Sequence, residues 1–274
     1  MSDSTLKSSH ASFKDQAQSY DLRVGLSPEC CCAIAEKIVA IADLKPGDLI
    51  VEIGAGTGMI GQWLIASPYQ YLGFDLSSEM LDIFRQKLPV QPDNCRLLQA
   101  DGNDPWPVAN GTAKVIFSSR TIHLLNEEHI IKESFRVAHR EGAVLLLGSI
   151  QRDREGMKAK MRQEMQRRLQ ENGFPQRKKE SKHQRLQELF SQPGIKRIDP
   201  LEVFRWTVVS TPQHSLTRWQ EKAGIGGIEP SISVKETLLN ELETWAKNTF
   251  GSLDQPIESE EAYILEGFWL YPQE

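Results

Sequence analysis

The chain has 274 residues, 39 % of them hydrophobic and 25 % charged, with a formal net charge of −5. This is an ordinary globular composition, long enough for a full α/β core plus an accessory element, and it excludes a disordered or fibrous chain. The acidic balance argues against a protein built mainly to hold nucleic-acid phosphates, and no run of eighteen apolar residues is present to span a membrane.

Residues 1–26 begin MSDSTLKSSHAS, polar and serine-rich with no apolar stretch. They read as a flexible N-terminal segment without a secretory signal, which implies a cytoplasmic chain. The next stretch, 27–43, predicts a helix. Ser27 suits a cap, Pro28 suits the first turn, and Ile34, Ile38 and Ile41 share one face. Cys30, Cys31 and Cys32 lie in it, with Cys95 far away. Consecutive helical residues point about 100° apart, so the three thiols cannot easily converge on one metal ion. No metal site is expected, and one or two cysteines pack as small hydrophobes.

Beyond the turn Lys45-Pro46-Gly47-Asp48, short apolar runs alternate with helical stretches. The runs are Leu49–Ile53, Tyr71–Asp75, Cys95–Gln99, Val115–Ser119 and Ala143–Ser149. Between them lie the helical Gly58–Ala66, Ser77–Leu88 and Asn126–His139. This alternation predicts βαβ units with right-handed crossovers, hence a doubly wound, mostly parallel α/β sheet. With Leu201–Ser210 and Tyr263–Tyr271 the strand count reaches seven, in a Rossmann-like order with helical cap insertions. Ligands of such sheets sit beyond the carboxyl ends of the strands.

The rhythm breaks at 151–200, where fourteen Lys and Arg face seven acids. Met157, Met161, Met165 and Leu169 recur every four residues along a basic helix. That pattern reads as a helical cap insertion over 151–180, its methionines forming a flexible apolar surface able to close over an acceptor. Residues 183–192 read as a return helix. The domain reading is therefore 1–26, a core at 27–150, the cap at 151–200, and 201–274 completing the sheet and the acceptor side. Trp206, Trp219, Trp245 and Trp269 read as core and cap packing.

The most informative segment is Val51-Glu52-Ile53-Gly54-Ala55-Gly56-Thr57-Gly58, a strand running into a glycine turn that opens a helix. Glycines let the backbone turn tightly and approach a ligand closely. Acids follow at successive strand ends: Glu52, Asp75 and Asp101. A dinucleotide would bring an anionic pyrophosphate to the turn. Glu52 at its entry opposes that, and three carboxylates suit a cofactor with cationic groups better.

On these residues the sequence resembles the class I S-adenosylmethionine-dependent methyltransferases, in the UbiE-like, type 11 group. Val51–Gly58 is similar to their motif I. The match continues through Gly73-Phe74-Asp75-Leu76-Ser77-Ser78-Glu79-Met80-Leu81, Ala100-Asp101-Gly102 and Phe117–Leu125. The resemblance implies S-adenosylmethionine as cofactor. Gly54, Ala55, Gly56 and Gly58 would line its methionine and ribose, and Glu52 would serve the amino-acid end directly or through water. Asp75, with Leu76 beside it, would take the ribose, Asp101 and Gly102 the adenine, and Met80 and Ile53 would neighbour the ring. Ser118 falls at the strand end facing the cofactor, and Tyr20-Asp21 is similar to an aromatic–acid pair that closes the pocket.

The segment Ser118–Leu125 faces the transferable methyl in this fold. It lacks the Asn/Asp-Pro-Pro-aromatic and Pro-Cys signatures of amide- or base-methylating relatives, and it lacks the acid that holds magnesium in catechol-type relatives. The expected reaction is metal-independent O- or C-methylation of a small aromatic, polyketide-like or quinone-type acceptor. His123 is the candidate base and Arg120 a candidate orienter of an anionic acceptor. The alternatives are an RNA methyltransferase using the basic 151–200 segment, and an NAD(P)-dependent oxidoreductase. The second is opposed by Glu52 and by the absence of a Tyr-x-x-x-Lys pair.

Overall fold

The structure, a computed structural model, describes residues 20–66, 68–88, 92–174, 186, 188, 190 and 195–271. In chain order the elements are α1 (Tyr20–Val24), α2 (Pro28–Ala42), β1 (Leu49–Ile53), α3 (Gly61–Ile65), β2 (Gln70–Asp75), α4 (Ser78–Lys87), β3 (Cys95–Gln99) and β4 (Ala113–Ser119). A single 3-10 turn (Ile122–Leu124) precedes α5 (Glu127–Val137), β5 (Ala143–Arg152) and α6 (Met157–Glu171). Then come β6 (Ile195–Ser210), α7 (Pro212–Gln220), α8 (Ile232–Phe250) and β7 (Ile257–Leu270).

The seven strands hydrogen-bond in the order β3-β2-β1-β4-β5-β7-β6, and β1 to β5 run parallel. The order reverses between β1 and β4, where Glu52 pairs with Phe117. A doubly wound sheet opens its ligand crevice at that switch point. Side chains cap the helices that follow the strands. Ser77 accepts from Met80 N at 3.2 Å and Asn126 from His129 N at 2.9 Å, satisfying first-turn amides that otherwise lack partners. Ser27 does the same for α2, with Pro28 in the first turn.

Several sequence-based boundaries shift. β6 begins at Ile195 rather than Leu201, β7 at Ile257 rather than Tyr263, and the helix after the glycine turn is the short α3. Residues 1–19 of the N-terminal segment lie outside the described residues, and Tyr20–Val24 is helical. The return helix of 183–192 also lies outside them apart from Leu186, Glu188 and Phe190.

Contacts divide the chain into two compact units: 1–149 with 180–204 and 263–274, and 150–179 with 205–262. In the first, Val51, Ile53, Ile116, Leu145 and Phe268 lie in one buried cluster with Trp106. Phe190 stacks on Phe268 with ring centroids 4.5 Å apart. In the second, Met157, Met161, Met165 and Leu169 of α6 pack with Leu216, Leu238, Leu242 and Ala246 of α7 and α8. This corrects the expectation of an open methionine surface. The stripe is the core of a three-helix unit, because an apolar helix face this complete is stabilised by burial against other helices. Trp206, Trp219, Trp245 and Trp269 are half-buried.

The second unit also carries a solvent-open groove of about 640 Å³, lined by Arg152, Arg154, Arg205, Glu258, Glu260 and their neighbours. Two ion pairs lie along it: Arg205 with Glu260 at 2.6 Å and Arg152 with Glu261 at 3.5 Å. The Arg205–Glu260 pair is exposed on both sides and contributes little to stability, whereas Glu261 is buried.

Candidate active site

The glycine turn between β1 and α3 is held by β2. Both Gly54 N and Ala55 N donate to Phe74 O, at 2.9 and 3.0 Å, and Gly56 N donates to Asp75 Oδ2 at 2.9 Å. Gly54, Gly56 and Gly58 all have positive φ, a region that glycine enters without a Cβ penalty. Two of them are also tight. A Cβ on Gly54 would lie 2.1 Å from Thr121 Oγ1, and one on Gly58 would lie 2.1 Å from the Phe84 ring. Gly56 is different: only Gly54 O and Asp75 Oδ2 come near, at 3.9 and 4.0 Å. The open backbone of the turn is therefore at Gly56. Ala55 is buried and points inward.

Asp75 is half-buried. Its Oδ1 accepts from Ser77 N at 2.9 Å, and burial raises its pKa against the backbone amides that lower it. Each carboxylate oxygen keeps acceptor capacity beyond these bonds. Leu76 beside it is exposed. Asp101 accepts from Asn103 N at 2.9 Å, and the Trp106 indole donates to Gly102 O at 3.0 Å. A side chain on Gly102 would meet Leu125 at 2.9 Å. Acids therefore end β2 and follow β3 as expected.

Four of the residues expected at the site, Glu52, Ser118, Met80 and Ile53, are buried. Glu52 is buried, and its Oε2 accepts from the Tyr71 hydroxyl at 2.5 Å beneath Gly61, where a Cβ would come within 2.8 Å of that oxygen. Direct contact with a ligand falls away, because the carboxyl sits under the turn. Burial pushes its pKa up to about 8, Tyr71 lowers it and Asp75 raises it. Ser118 is likewise buried, its hydroxyl donating to Ile53 O at 3.0 Å. It ties β4 to β1 rather than facing a ligand. Met80 and Ile53 are core residues, 3 % and 1 % exposed.

Downstream of β4, His123 is exposed on the 3-10 turn. Arg120 has φ 62° and lays its guanidinium over the Tyr20 ring, 5.6 Å from the centroid. Of the Tyr20-Asp21 pair, Asp21 reaches the turn. Asp21 Oδ1 accepts a short hydrogen bond from Thr57, and Oδ2 pairs with Lys87 at 2.5 Å. The partners Lys87 and Tyr71 escape sequence reasoning, because nothing local marks them. Thr57, inside the glycine motif, was the one available cue. The Ser119–Tyr263 hydroxyl pair, 2.7 Å apart, is missed for the same reason. Buried Trp106 gives no periodic signal, standing in a loop between β3 and β4.

Comparison with known proteins matches residues 50–142 to the family described as a methyltransferase domain. The ribosomal RNA small subunit methyltransferase A of Dehalococcoides mccartyi is 32 % identical over 95 residues, which is 33 % of this chain and 32 % of that protein. Its namesake in Thermotoga neapolitana is 35 % identical over 60 residues, 22 % and 23 % of the two chains. The matches thus span about a third or less of these relatives. A Bacillus halodurans C-125 protein described as a methyltransferase superposes with TM-score 0.53 at 15 % identity, over 87 % of this chain and 99 % of its own. A Methanococcus maripaludis protein described as an S-adenosylmethionine-dependent methyltransferase gives 0.51 at 18 %, over 72 % and 91 %. At such identities the likeness is one of fold.

Residues 50–142 thus match a methyltransferase domain, the fold is the one seen in S-adenosylmethionine-dependent methyltransferases, and the glycine turn stands at the sheet's switch point, held by the acid that ends the neighbouring strand. The cofactor of such methyltransferases is S-adenosylmethionine. No described helix is long and apolar enough to cross a membrane. Among the described residues no group of His, Cys, Asp and Glu could hold a metal ion.

Proposed function

We propose that the chain transfers a methyl group from S-adenosylmethionine to the oxygen or carbon of a small aromatic, polyketide-like or quinone-type acceptor, without a metal. The observation that carries the reading is the hydrogen bond from Gly56 N to Asp75, at the one glycine of the turn with open space above it. That geometry suits a ribose whose diol meets the remaining lone pairs of Asp75 while the ring lies against bare backbone. Exposed Leu76 suits the base, with Asp101 and Gly102 at its polar edge. Bound there, the cofactor supplies an electrophilic methyl carbon.

The chain's own part is then largely positional, because methyl transfer is an in-line displacement. Where the acceptor is a neutral hydroxyl, a base must take its proton, and His123 is the nearest candidate. The small-molecule reading is supported by the residues that Ser118–Leu125 lacks for base methylation. RNA is the second reading, favoured by the names of the ribosomal RNA relatives, although their matches cover only about a third of either chain.

The test is transfer of labelled methyl from S-adenosylmethionine into metabolite extracts and into total RNA, with mass identification of products. Label in a small molecule, lost in Asp75→Ala, is the expected result. Label confined to RNA overturns the acceptor assignment.

A further inference from the structure

Arg120 is one of two described non-glycine residues with positive φ. A left-handed backbone is disfavoured for a long side chain and persists only where the surroundings impose it. Here they do. Arg120 N donates to Gly148 O at 3.2 Å, and the next residue, Thr121, fills the space above Gly54. The turn sends the guanidinium across the Tyr20 ring. Tyr20 is adjacent to Asp21, whose carboxylate is bound by Thr57 of the glycine turn. The guanidinium therefore lies on the ring of the residue next to the one that the glycine turn holds.

Nη1 of Arg120 is buried and has no hydrogen-bond partner among the described residues. Buried guanidinium nitrogens are ordinarily matched by acceptors, so an orphan one marks a position suited to an incoming group. The acids around the turn already have partners of their own. Glu52 is bound by Tyr71, Asp75 by Gly56 and Ser77, and Asp21 by Thr57 and Lys87. A planar fork of donors over an aromatic ring is the arrangement that recognises a carboxylate.

We propose that Arg120, backed by the Tyr20 ring, is a carboxylate-binding residue of the site. Which molecule brings the carboxylate rests on the methyltransferase reading. It is either the amino-acid end of the cofactor or an acid group on the acceptor.

The experiment is calorimetry on the full chain, wild type against Arg120→Met and Arg120→Lys. Three probes are used: S-adenosylhomocysteine, which carries a carboxylate; methylthioadenosine, which lacks one; and benzoate added to the S-adenosylhomocysteine-loaded protein. If the cofactor supplies the carboxylate, Arg120→Met weakens S-adenosylhomocysteine by roughly ten- to a hundredfold. Arg120→Lys recovers part of the loss, and methylthioadenosine affinity is unchanged, which also shows the fold intact. If the acceptor supplies it, both adenosine ligands bind as in wild type and benzoate binding is lost. Equal binding of all three probes by wild type and Arg120→Met overturns the proposal. Should Arg120→Met fail to fold, Tyr20→Leu and Arg120→Lys carry the same comparison, with a several-fold loss confined to carboxylate ligands. A wild type that binds no S-adenosylhomocysteine overturns the functional reading instead. Benzoate binding to the unliganded wild type and variant then decides Arg120 alone.

Discussion

The phenolic oxygen of Tyr263 lies 2.7 Å from the hydroxyl of Ser119, in space that exists because residue 148 is glycine. A Cβ there would sit 1.9 Å from the Tyr263 oxygen. Tyr263 is fully buried, and burial raises the phenol's pKa well above its usual value, so it stays protonated. Gly148→Ala is expected to lose about 1–3 kcal/mol through overpacking. Tyr263→Phe alone should lose about 0.5–1.5 kcal/mol, the worth of one hydrogen bond. In the double variant much of the Gly148→Ala loss should disappear. Denaturant titration of the four proteins checks this, and strictly additive losses would mean that Gly148 does not make room for the phenol.

Gly56 and Gly58 should separate binding from stability. Both have positive φ, so alanine at either is strained by about 1–2 kcal/mol. Only at Gly58 does the new carbon also strike the Phe84 ring. Gly58→Ala should therefore melt well below Gly56→Ala. Gly56→Ala should fold and yet bind S-adenosylhomocysteine at least tenfold more weakly, since the added carbon occupies the open face of the turn. Normal affinity in folded Gly56→Ala would remove Gly56 from the cofactor site.

Glu52 predicts a pH signature. Its carboxyl titrates near 8 in the folded chain, chiefly through burial, against a reference of 4.5. Between those values the folded state holds a proton that the unfolded state has released. Stability of the ligand-free protein should thus fall as pH rises from about 4.5 to 8. Glu52→Gln keeps an acceptor for Tyr71 and cannot ionise, so it should flatten that fall and be the more stable protein at pH 8. Urea midpoints across the range test this; parallel profiles would assign the titration to other groups.

Asp21 fastens α1 to the glycine turn through Thr57 and to α4 through Lys87. Asp21→Ala should speed amide exchange in Tyr20–Val24 and lower S-adenosylhomocysteine affinity, while leaving exchange in β1 and β4 unchanged. Unaltered exchange in α1 would show that other contacts hold it.

Met161 is wholly buried among α6, α7 and α8. Met161→Ala is expected to destabilise the second unit by about 2–5 kcal/mol through lost burial and an unfilled cavity. A loss under 0.5 kcal/mol would return the stripe to the role of an adaptable surface.

The strand–glycine turn–helix at 49–65, the acid ending β2, the cap Ser27 and the helical stretches that open at Ser77 and Asn126 were legible in the sequence. Each depends on residues a few positions apart, where backbone preference and hydrophobic period act directly. The alternation of strands and helices fixed the parallel half of the sheet, since crossovers have one favoured hand. What the carboxyls face was decided by tertiary structure. Glu52 turns beneath Gly61 because Tyr71, nineteen residues on, offers a buried donor. Asp21 meets Lys87 across 66 residues, and Ser119 meets Tyr263 across 144. The methionine stripe carries the same periodicity whether it lies open or buried. Only the arrival of α7 and α8 made it a core, because apolar surface is stabilised by whatever chain covers it, and which segment that is depends on the path of the whole backbone.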